Sequence, residues 1–210
     1  MEVLREIAAL LERGEDDEVG SLTQSALDQS IEAARILNEG LIAGMQVVGE
    51  RFGAHEIFLP DVLLAARAMN AGLAVLEPHL GQEDIQTRGK VVIGTVQGDL
   101  HDIGKNLVGI MLSGAGFDVI DLGKDVSPQK FVDTARESDA DVIGMSALLT
   151  TTMPVMKQVI SLLREQGLDS SVRTVIGGAP VTEEYAQEIG ADAYAFDAAN
   201  AVERVKALVG

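Results

Sequence analysis

The chain of 210 residues contains no cysteine. Without thiols it cannot form disulfides, hold an iron–sulfur cluster, bind zinc through thiolates or use a cysteine nucleophile. Its three histidines, His55, His79 and His101, are too few for a conventional multi-histidine metal site. These two shortages exclude the commonest metal sites that proteins build from their own side chains.

Basic residues are also scarce. Lysine and arginine number 16 against 33 aspartates and glutamates, which gives a formal net charge of −17. This charge argues against nucleic acid or an anionic membrane as the partner. The first residues are charged and carry no signal-peptide core, and we expect no apolar stretch of transmembrane length. The predicted location is therefore the cytoplasm.

Aromatic residues make up only 3% of the chain, whereas hydrophobic residues make up 47% and there are 22 glycines. This composition favours an α/β fold rich in Ala, Val and Leu with many tight strand–helix turns. The length fits one large domain or two small ones.

The first 80 residues have helical periodicity throughout. Four helices are predicted, over residues 3–11, 18–29, 31–52 and from Pro60 onward, and they suggest a small bundle. Periodicity is lost over the polar residues 78–90, which predicts an interdomain linker. We therefore expect a helical domain, 1–85, and a second domain, 86–210.

In the second half, short apolar runs alternate with helical patterns. The runs are 91–96, 118–122, 141–146, 173–177 and 192–196. Ser127 with Pro128 and Thr182 are typical of helix starts, and Gly167 of a helix end. Five βα units predict a doubly wound parallel sheet of flavodoxin-like or Rossmann-like type.

The first of these strands is followed by Asp-Leu-His-Asp-Ile-Gly at 99–104. Loops after parallel strands are where such sheets bind ligands. We expect Asp99 to accept one N–H of His101 and leave the other ring nitrogen aimed outward, as in metal-ligating histidines. Alone, this pattern is more often a polar surface loop or a turn-stabilising hydrogen bond than a metal site. A single histidine binds a transition metal only where a group such as a macrocycle supplies the other ligands.

Two further loops are predicted at the same edge of the sheet. Ser146, Leu148 and the threonines 150–152 follow the third strand, and Gly177 with Gly178 follows the fourth. Paired glycines let the backbone approach a bulky ligand, and the threonine hydroxyls suit a polar appendage or a helix N-cap.

The three loops together resemble the signature of corrinoid-binding domains. Asp-x-His-x-x-Gly is followed after 41 residues by Ser-x-Leu and after 28 more by Gly-Gly. The resemblance implies a cobalamin bound base-off, in which His101 replaces the lower base on cobalt and the nucleotide tail enters a deep slot beside the sheet.

The resemblance also implies roles for the remaining loop residues. Asp99 would fix the tautomer of His101, and the hydroxyl of Thr152 would extend this relay, at a position where methionine synthase has serine. Thr150 would reach the corrin or its amides. The other residues implied to bind the cofactor are the slot-lining Ser146 and Leu148, the loop residues Asp102 and Ile103, and the glycines that give clearance, Gly104, Gly177 and Gly178.

The helical half carries a second resemblance. Val-Gly-Glu-Arg-Phe-Gly at 48–53, followed by Ile-Phe-Leu-Pro-Asp-Val at 57–62, is similar to the helical cap of methyl-transferring corrinoid proteins. By this match Phe52, Leu59 and Val62 would cover the upper face of the corrin. From periodicity alone these three residues would be bundle core.

Taken together, the chain resembles the free-standing corrinoid proteins of methanol, methylamine and methoxyaromatic methyltransferase systems. The resemblance implies a carrier that is not catalytic alone, in which Co(I) accepts a methyl group to give methyl-Co(III) and passes it to an acceptor such as tetrahydrofolate. The implied partners are a donor-specific methyltransferase, an acceptor methyltransferase and a reductive activation protein.

Two alternatives share the histidine signature. One is the small cobalamin-binding subunit of an adenosylcobalamin-dependent mutase, which lacks such a helical cap. The other is a regulator, either a cobalamin sensor or a flavodoxin-like receiver, although no basic DNA-binding segment is present in the chain.

Overall fold

The computed structural model describes residues 2–80 and 87–210. These residues form two compact units, one of 2–80 with 114–116 and one of 87–113 with 117–210. The predicted domain boundary between residues 85 and 86, and part of the predicted linker, lie outside the described residues. The division into domains 1–85 and 86–210 therefore stays a prediction.

The first unit consists of helices, as predicted. They are α1 (Glu2–Glu12), α2 (Asp16–Asp28), α3 (Ala33–Ile36), α4 (Ala43–Gly53) and α5 (Leu59–Leu76).

The third predicted helix is interrupted. A π-helical segment, Leu37–Ile42, joins α3 to α4, so the expected single helix has a wider turn in its middle. Apolar spacing could not predict this segment because the pattern continues through it. Where α4 meets α1, a Cβ on Gly44 would lie 2.9 Å from both Cα and the carbonyl oxygen of Ala8, so only glycine allows this approach.

Helix α5 begins as its proline predicts. Pro60 lies in the first turn, and the backbone N–H of Phe58 donates to Asp61 Oδ2 at 2.8 Å. With the 3₁₀ turn that follows, Leu59–His79 spans 21 residues and contains an 18-residue window of mean hydropathy 1.4, so by length and composition it could cross a membrane.

The expectation that no apolar stretch has transmembrane length was therefore wrong. Helix α5 contains few charges and many small apolar residues, which raises its mean hydropathy. A core helix of a soluble protein has the same length and composition. The buried residues of α5 include Val62, Ala65, Ala68 and Met69, so one face of the helix is buried.

As predicted, the second unit contains a five-stranded parallel sheet, and its strands lie in the order β2-β1-β3-β4-β5. The strands are β1 (Lys90–Thr95), β2 (Asp118–Asp121), β3 (Val142–Ser146), β4 (Arg173–Gly177) and β5 (Ala193–Ala195). The intervening helices are α6 (Ile103–Gly114), α7 (Pro128–Glu137), α8 (Pro154–Glu165) and α9 (Glu183–Ile189), and α10 (Ala198–Val209) follows the last strand.

The order of the strands reverses between β1 and β3, because the chain moves outward to β2 and then returns past β1. Open α/β sheets bind their ligands at such a switch point. Helices α7, α8 and α9 share one buried core with the sheet, in which Phe131 is fully enclosed. The right-handed crossover from β1 to β2 places α6 on the opposite face. Helix α10 contacts β3, β4 and β5.

The predicted helix ends are confirmed. Ser127 Oγ accepts from the N–H of Lys130 at 3.3 Å, and Thr182 Oγ1 accepts from the N–H of Tyr185 at 3.2 Å. Gly167 follows α8 with a left-handed φ of +68°. These local signals start and stop the helices, so the loops at the carboxyl edge of the sheet begin and end at defined residues.

Candidate functional site

The ends of the central strands lie in register. Thr95 pairs with Ser146, Ser146 with Gly177, and Gly177 with Ala195. The loops after β1, β3 and β4 therefore leave the sheet side by side. This register brings together the three loops that the sequence predicts to form one site.

Asp99 lies at the centre of this edge and is fully buried. Its Oδ1 accepts from the backbone N–H of His101 at 3.1 Å and faces His101 Nδ1 at 2.8 Å. Its Oδ2 accepts from the N–H groups of Leu148 and Leu149 at 2.7 and 3.0 Å, and from Thr152 Oγ1 at 2.9 Å. The carboxylate thus joins the loop after β1 to the loop after β3.

These donors keep Asp99 ionised. Burial has the largest single effect on the pKa of Asp99 and raises it, but hydrogen bonds from His101, Leu148 and Thr152 together outweigh burial. The pKa of Asp99 is consequently held well below its usual range. At neutral pH the side chain is a carboxylate that can only accept hydrogen bonds.

The ionised carboxylate determines the tautomer of His101. Because Asp99 Oδ1 cannot donate, Nδ1 of the imidazole must carry the proton in their 2.8 Å contact. The lone pair of a neutral imidazole is then on Nε2. The His101 side chain is 53% exposed, so this lone pair is accessible to a ligand. The predicted Asp99–His101 arrangement is present in the structure, and its role stays a prediction.

Thr152 is buried and lies where the proposed relay requires a hydroxyl. Its Oγ1 is 2.9 Å from Asp99 Oδ2 and 2.8 Å from the carbonyl oxygen of Leu149. A hydroxyl has one proton, so Thr152 donates to one of these acceptors at a time. The hydroxyl of Thr152 therefore does not cap a helix, and its part in the relay stays a prediction.

The other predicted residues surround this centre. Ser146 ends β3 and is half-buried, while Thr150 is exposed in the loop that follows. Asp102 precedes α6, and its carbonyl oxygen accepts from the N–H of Asn106 at 2.8 Å. The binding roles of these residues stay predictions.

Large apolar side chains are exposed beside the imidazole. Leu100 is 63% and Ile103 75% exposed, and Leu148 and Leu149 are also exposed. Soluble proteins rarely leave such side chains grouped at a surface without a partner or ligand to cover them. The edge of the sheet therefore offers an exposed imidazole with apolar side chains exposed on the same loops.

The three glycines predicted to give clearance differ. A Cβ on Gly104 would meet nothing within 4 Å, so this position is open toward the solvent. Gly178 has a φ of +131°, and a Cβ there would clash with the carbonyl group of Ala147. A Cβ on Gly177 would lie 2.9 Å from the carbonyl oxygen of Ala195, which is also too close. Gly177 and Gly178 are thus required by the approach of neighbouring loops, with or without a ligand.

The predicted upper-face residues lie at the turn between α4 and α5 in the helical unit. Phe52 and Leu59 are half-buried and Val62 is fully buried. Phe58, which the sequence analysis did not select, is 70% exposed. Its position next to Leu59 in the same motif is the signal that could have identified it.

Two contributions to the centre were missed. The backbone N–H of Leu149 donates to Asp99, and the loop after β2 also reaches the Asp99 segment through Asp125. Backbone donors carry no residue signature, so only the fold reveals them. Asp125 follows a predicted strand at the same edge, which was the available signal.

Side chains alone do not make a metal site here. Within residues 2–80 and 87–210, no group of three or more His, Cys, Asp or Glu side chains is placed to hold a metal ion. His101 can therefore supply one ligand to a metal whose other ligands come with a cofactor.

Comparison with known proteins identifies such a cofactor. Two profiles described as a B12 binding domain match the chain, over residues 89–206 and 3–77. The chain is 44% identical over 213 residues to a corrinoid protein of Desulfitobacterium hafniense, covering 100% of this chain and 99% of that protein. It is 44% identical over 209 residues to dimethylamine corrinoid protein 1 of Methanosarcina acetivorans, covering 99% and 98%.

A solved structure has the same fold. The methanol:cobalamin methyltransferase complex from Methanosarcina barkeri aligns with a TM-score of 0.92 at 31% identity, over 99% of this chain and 80% of that chain.

Replacing Thr152 by valine should destabilise the protein by about 1.5–3 kcal/mol, because a buried charged acceptor loses one donor. The free energy of unfolding in urea measures this. Thr151→Val is the matched control, since Thr151 is exposed beside it and should change stability by no more than about 0.5 kcal/mol. Equal stabilities of the two variants would contradict the hydrogen bond.

Replacing Asp99 by asparagine should lower the free energy of unfolding by about 2–4 kcal/mol at neutral pH. The amide NH₂ group would face the N–H and O–H donors that now bond the carboxylate, and two donors cannot bond each other. The folded pKa of Asp99 is lowered, so its contribution is complete above the unfolded pKa of about 3.9 and is lost as the pH falls below it.

The difference in unfolding free energy between wild type and Asp99→Asn should therefore be constant from about pH 7 to 5 and shrink below about pH 4. Asp169→Asn, at an exposed loop position, should show no such change and is the control. A difference that did not shrink below about pH 4 would mean that Asp99 is not ionised in the folded protein.

Proposed function

The chain belongs to the corrinoid proteins of methyltransferase systems, with a B12-binding domain in each half, and we propose that it binds its corrinoid base-off with His101 as the lower axial ligand. The observation that carries this proposal is the accessible Nε2 of an imidazole whose Nδ1–H is held by a buried carboxylate. Outer-sphere carboxylates of this kind orient metal-bound histidines and increase their basicity.

The surroundings of His101 fit a corrin. A macrocycle supplies four equatorial nitrogens, which removes the objection that a single histidine cannot hold a metal. The exposed Leu100, Ile103 and Leu148 offer an apolar surface to its lower face, and the open position at Gly104 leaves room for it. Asp102 would lie in the same loop beneath the ring.

The loop after β3 would accept the nucleotide tail. We propose that Ser146 and Leu148 line its slot and that Thr150 hydrogen-bonds the corrin amides. Gly177 and Gly178 would form the other wall, because the absence of side chains there lets two loops run close together. Phe52, Leu59 and Val62 are proposed to cover the upper face of the corrin.

When bound, the corrinoid supplies a cobalt that accepts a methyl group from a donor and releases it to an acceptor. The chain's own contribution is to hold the axial nitrogen in one tautomer and one orientation, through Asp99 and Thr152. The names of the relatives and of the solved complex support a chain that carries the methyl group while partner methyltransferases perform the transfers.

The proposed partners follow from this division of labour. One methyltransferase would deliver the methyl group from the donor, a second would pass it to an acceptor such as tetrahydrofolate, and a reductive activation protein would restore the cobalt after oxidation. Relatives and the solved complex carry the names dimethylamine, trimethylamine and methanol, which are therefore the donors to test first. We place this system in the cytoplasm.

Axial ligation by His101 is tested by reconstitution. Wild-type protein loaded with hydroxocobalamin and desalted should retain a corrin spectrum in the visible range. His101→Ala should shift that spectrum and lower the affinity for the corrinoid about 10- to 100-fold. His79→Ala, an exposed histidine in the helical unit, should behave as wild type. Wild type that retains no corrinoid would overturn the proposal, and so would a His101→Ala spectrum identical to that of wild type.

The carrier role is tested by following a labelled methyl group. Corrinoid-loaded, reduced protein is incubated with labelled methanol, mono-, di- or trimethylamine and the corresponding methyltransferase, then separated by gel filtration. Label should elute with the corrinoid protein for one donor class and leave it when an acceptor methyltransferase and tetrahydrofolate are added. Label that never associates with the corrinoid protein, with any of the four donors, would contradict the carrier role.

A further inference from the structure

The loop between β2 and α7, residues 122–127, contains a residue in an unfavourable backbone conformation. Asp125 has a φ of +57°, in the left-handed region that non-glycine residues rarely occupy. Aspartate tolerates this region better than most residues, usually because its side chain bonds its own turn. Such strain persists only where surrounding interactions enforce it.

The side chain of Asp125 instead bonds a distant segment. Its Oδ1 accepts from the backbone N–H of Gly98 at 2.7 Å, across 27 positions in the sequence. The backbone N–H of Asp125 in turn donates to the carbonyl oxygen of Asp99 at 3.1 Å. One residue thus holds the peptide group that precedes Gly98 and the peptide group that follows Asp99.

The loop that carries Asp125 is itself anchored. The buried ammonium of Lys105, in the first turn of α6, lies 2.5 Å from Asp121 Oδ2 at the end of β2. Asp121 Oδ1 accepts from the N–H of Gly123 at 2.8 Å, and the N–H of Thr95 donates to the carbonyl oxygen of Gly123 at 2.9 Å. The loop is therefore tied both to α6 and to the end of β1.

We propose that Asp125 is a positioning residue for His101. The donors of the β3 loop fix the carboxylate of Asp99, whereas Asp125 fixes the backbone from which that carboxylate and the imidazole both extend. The inference rests on the proposed function, since it takes His101 as the axial ligand. Asp125 acts through the Gly98–His101 loop, by its bonds to Gly98 and Asp99.

Asp125→Gly isolates the side-chain contribution, because glycine adopts the same backbone conformation without strain. In the cofactor-free protein, hydrogen exchange of the Gly98 amide should accelerate about tenfold, the loss expected for one charge-assisted hydrogen bond. Nitrogen NMR of His101, with the imidazole neutral, should show a lower fraction of the Nδ1–H tautomer. In the loaded protein, the spectrum should shift toward the His-off form and the affinity for hydroxocobalamin should fall about tenfold.

Two further variants serve as an intermediate case and as a control for Asp125→Gly. Asp125→Asn keeps an oxygen acceptor and tolerates the left-handed region, so its values should lie between those of wild type and Asp125→Gly. Lys124→Ala changes the exposed neighbour in the same loop and should match wild type in every measurement. If the glycine variant does not fold, the asparagine variant carries the test, and Gly98 exchange should still rise a few-fold because a neutral oxygen is a weaker acceptor.

The outcomes separate the two proposals. The positioning role would be overturned if the Asp125 variants matched wild type in Gly98 amide exchange, in the His101 tautomer and in the corrin spectrum. His101 would then still be the axial ligand. If wild type retained no corrinoid, the proposed function would be overturned. Asp125 would still be the residue that orients the imidazole if its variants changed the Gly98 amide exchange and the His101 tautomer. Altered exchange with an unchanged spectrum in a corrinoid-binding protein would also overturn the positioning role.

Discussion

A carboxylate enclosed by protein must replace the water it has lost, and Asp99 does so with donors from two loops that are far apart in sequence. Those donors converge only because β1 and β3 are neighbours in register at the switch point of the sheet. The ionised state of Asp99, the tautomer of His101 and the outward direction of its lone pair all follow from this one arrangement. The order of the strands thus determines how the imidazole of His101 is oriented.

The features that depend on nearby residues could be predicted from the sequence. Ser127 and Thr182 cap their helices as expected, because an N-cap bonds a residue only three positions away. The pairing of Asp99 with His101 spans two positions and was equally accessible. Thr152 lies 53 positions from Asp99, and only the resemblance to corrinoid-binding domains placed it at the site.

What the sequence could not provide depends on backbone geometry over long distances. The N–H groups of Leu148 and Leu149 would donate to Asp99 whatever side chains they carried, and Asp125 contributes through a backbone conformation that its neighbours impose. The π-helical segment Leu37–Ile42 lies within an uninterrupted apolar pattern, so periodicity predicted one continuous helix. Gly177 and Gly178 were assigned to ligand clearance, but contacts with neighbouring loops already require them.

The use of peptide donors at positions 148 and 149 has a consequence for how this site can change. Because the bonds to Asp99 come from the backbone, every residue except proline can occupy these positions without releasing the carboxylate. Their side chains are exposed and take no part in holding it. The surface of the site can therefore diversify by substitution while the orientation of the imidazole is inherited unchanged, which makes these two positions the natural starting point for altering ligand preference by directed evolution.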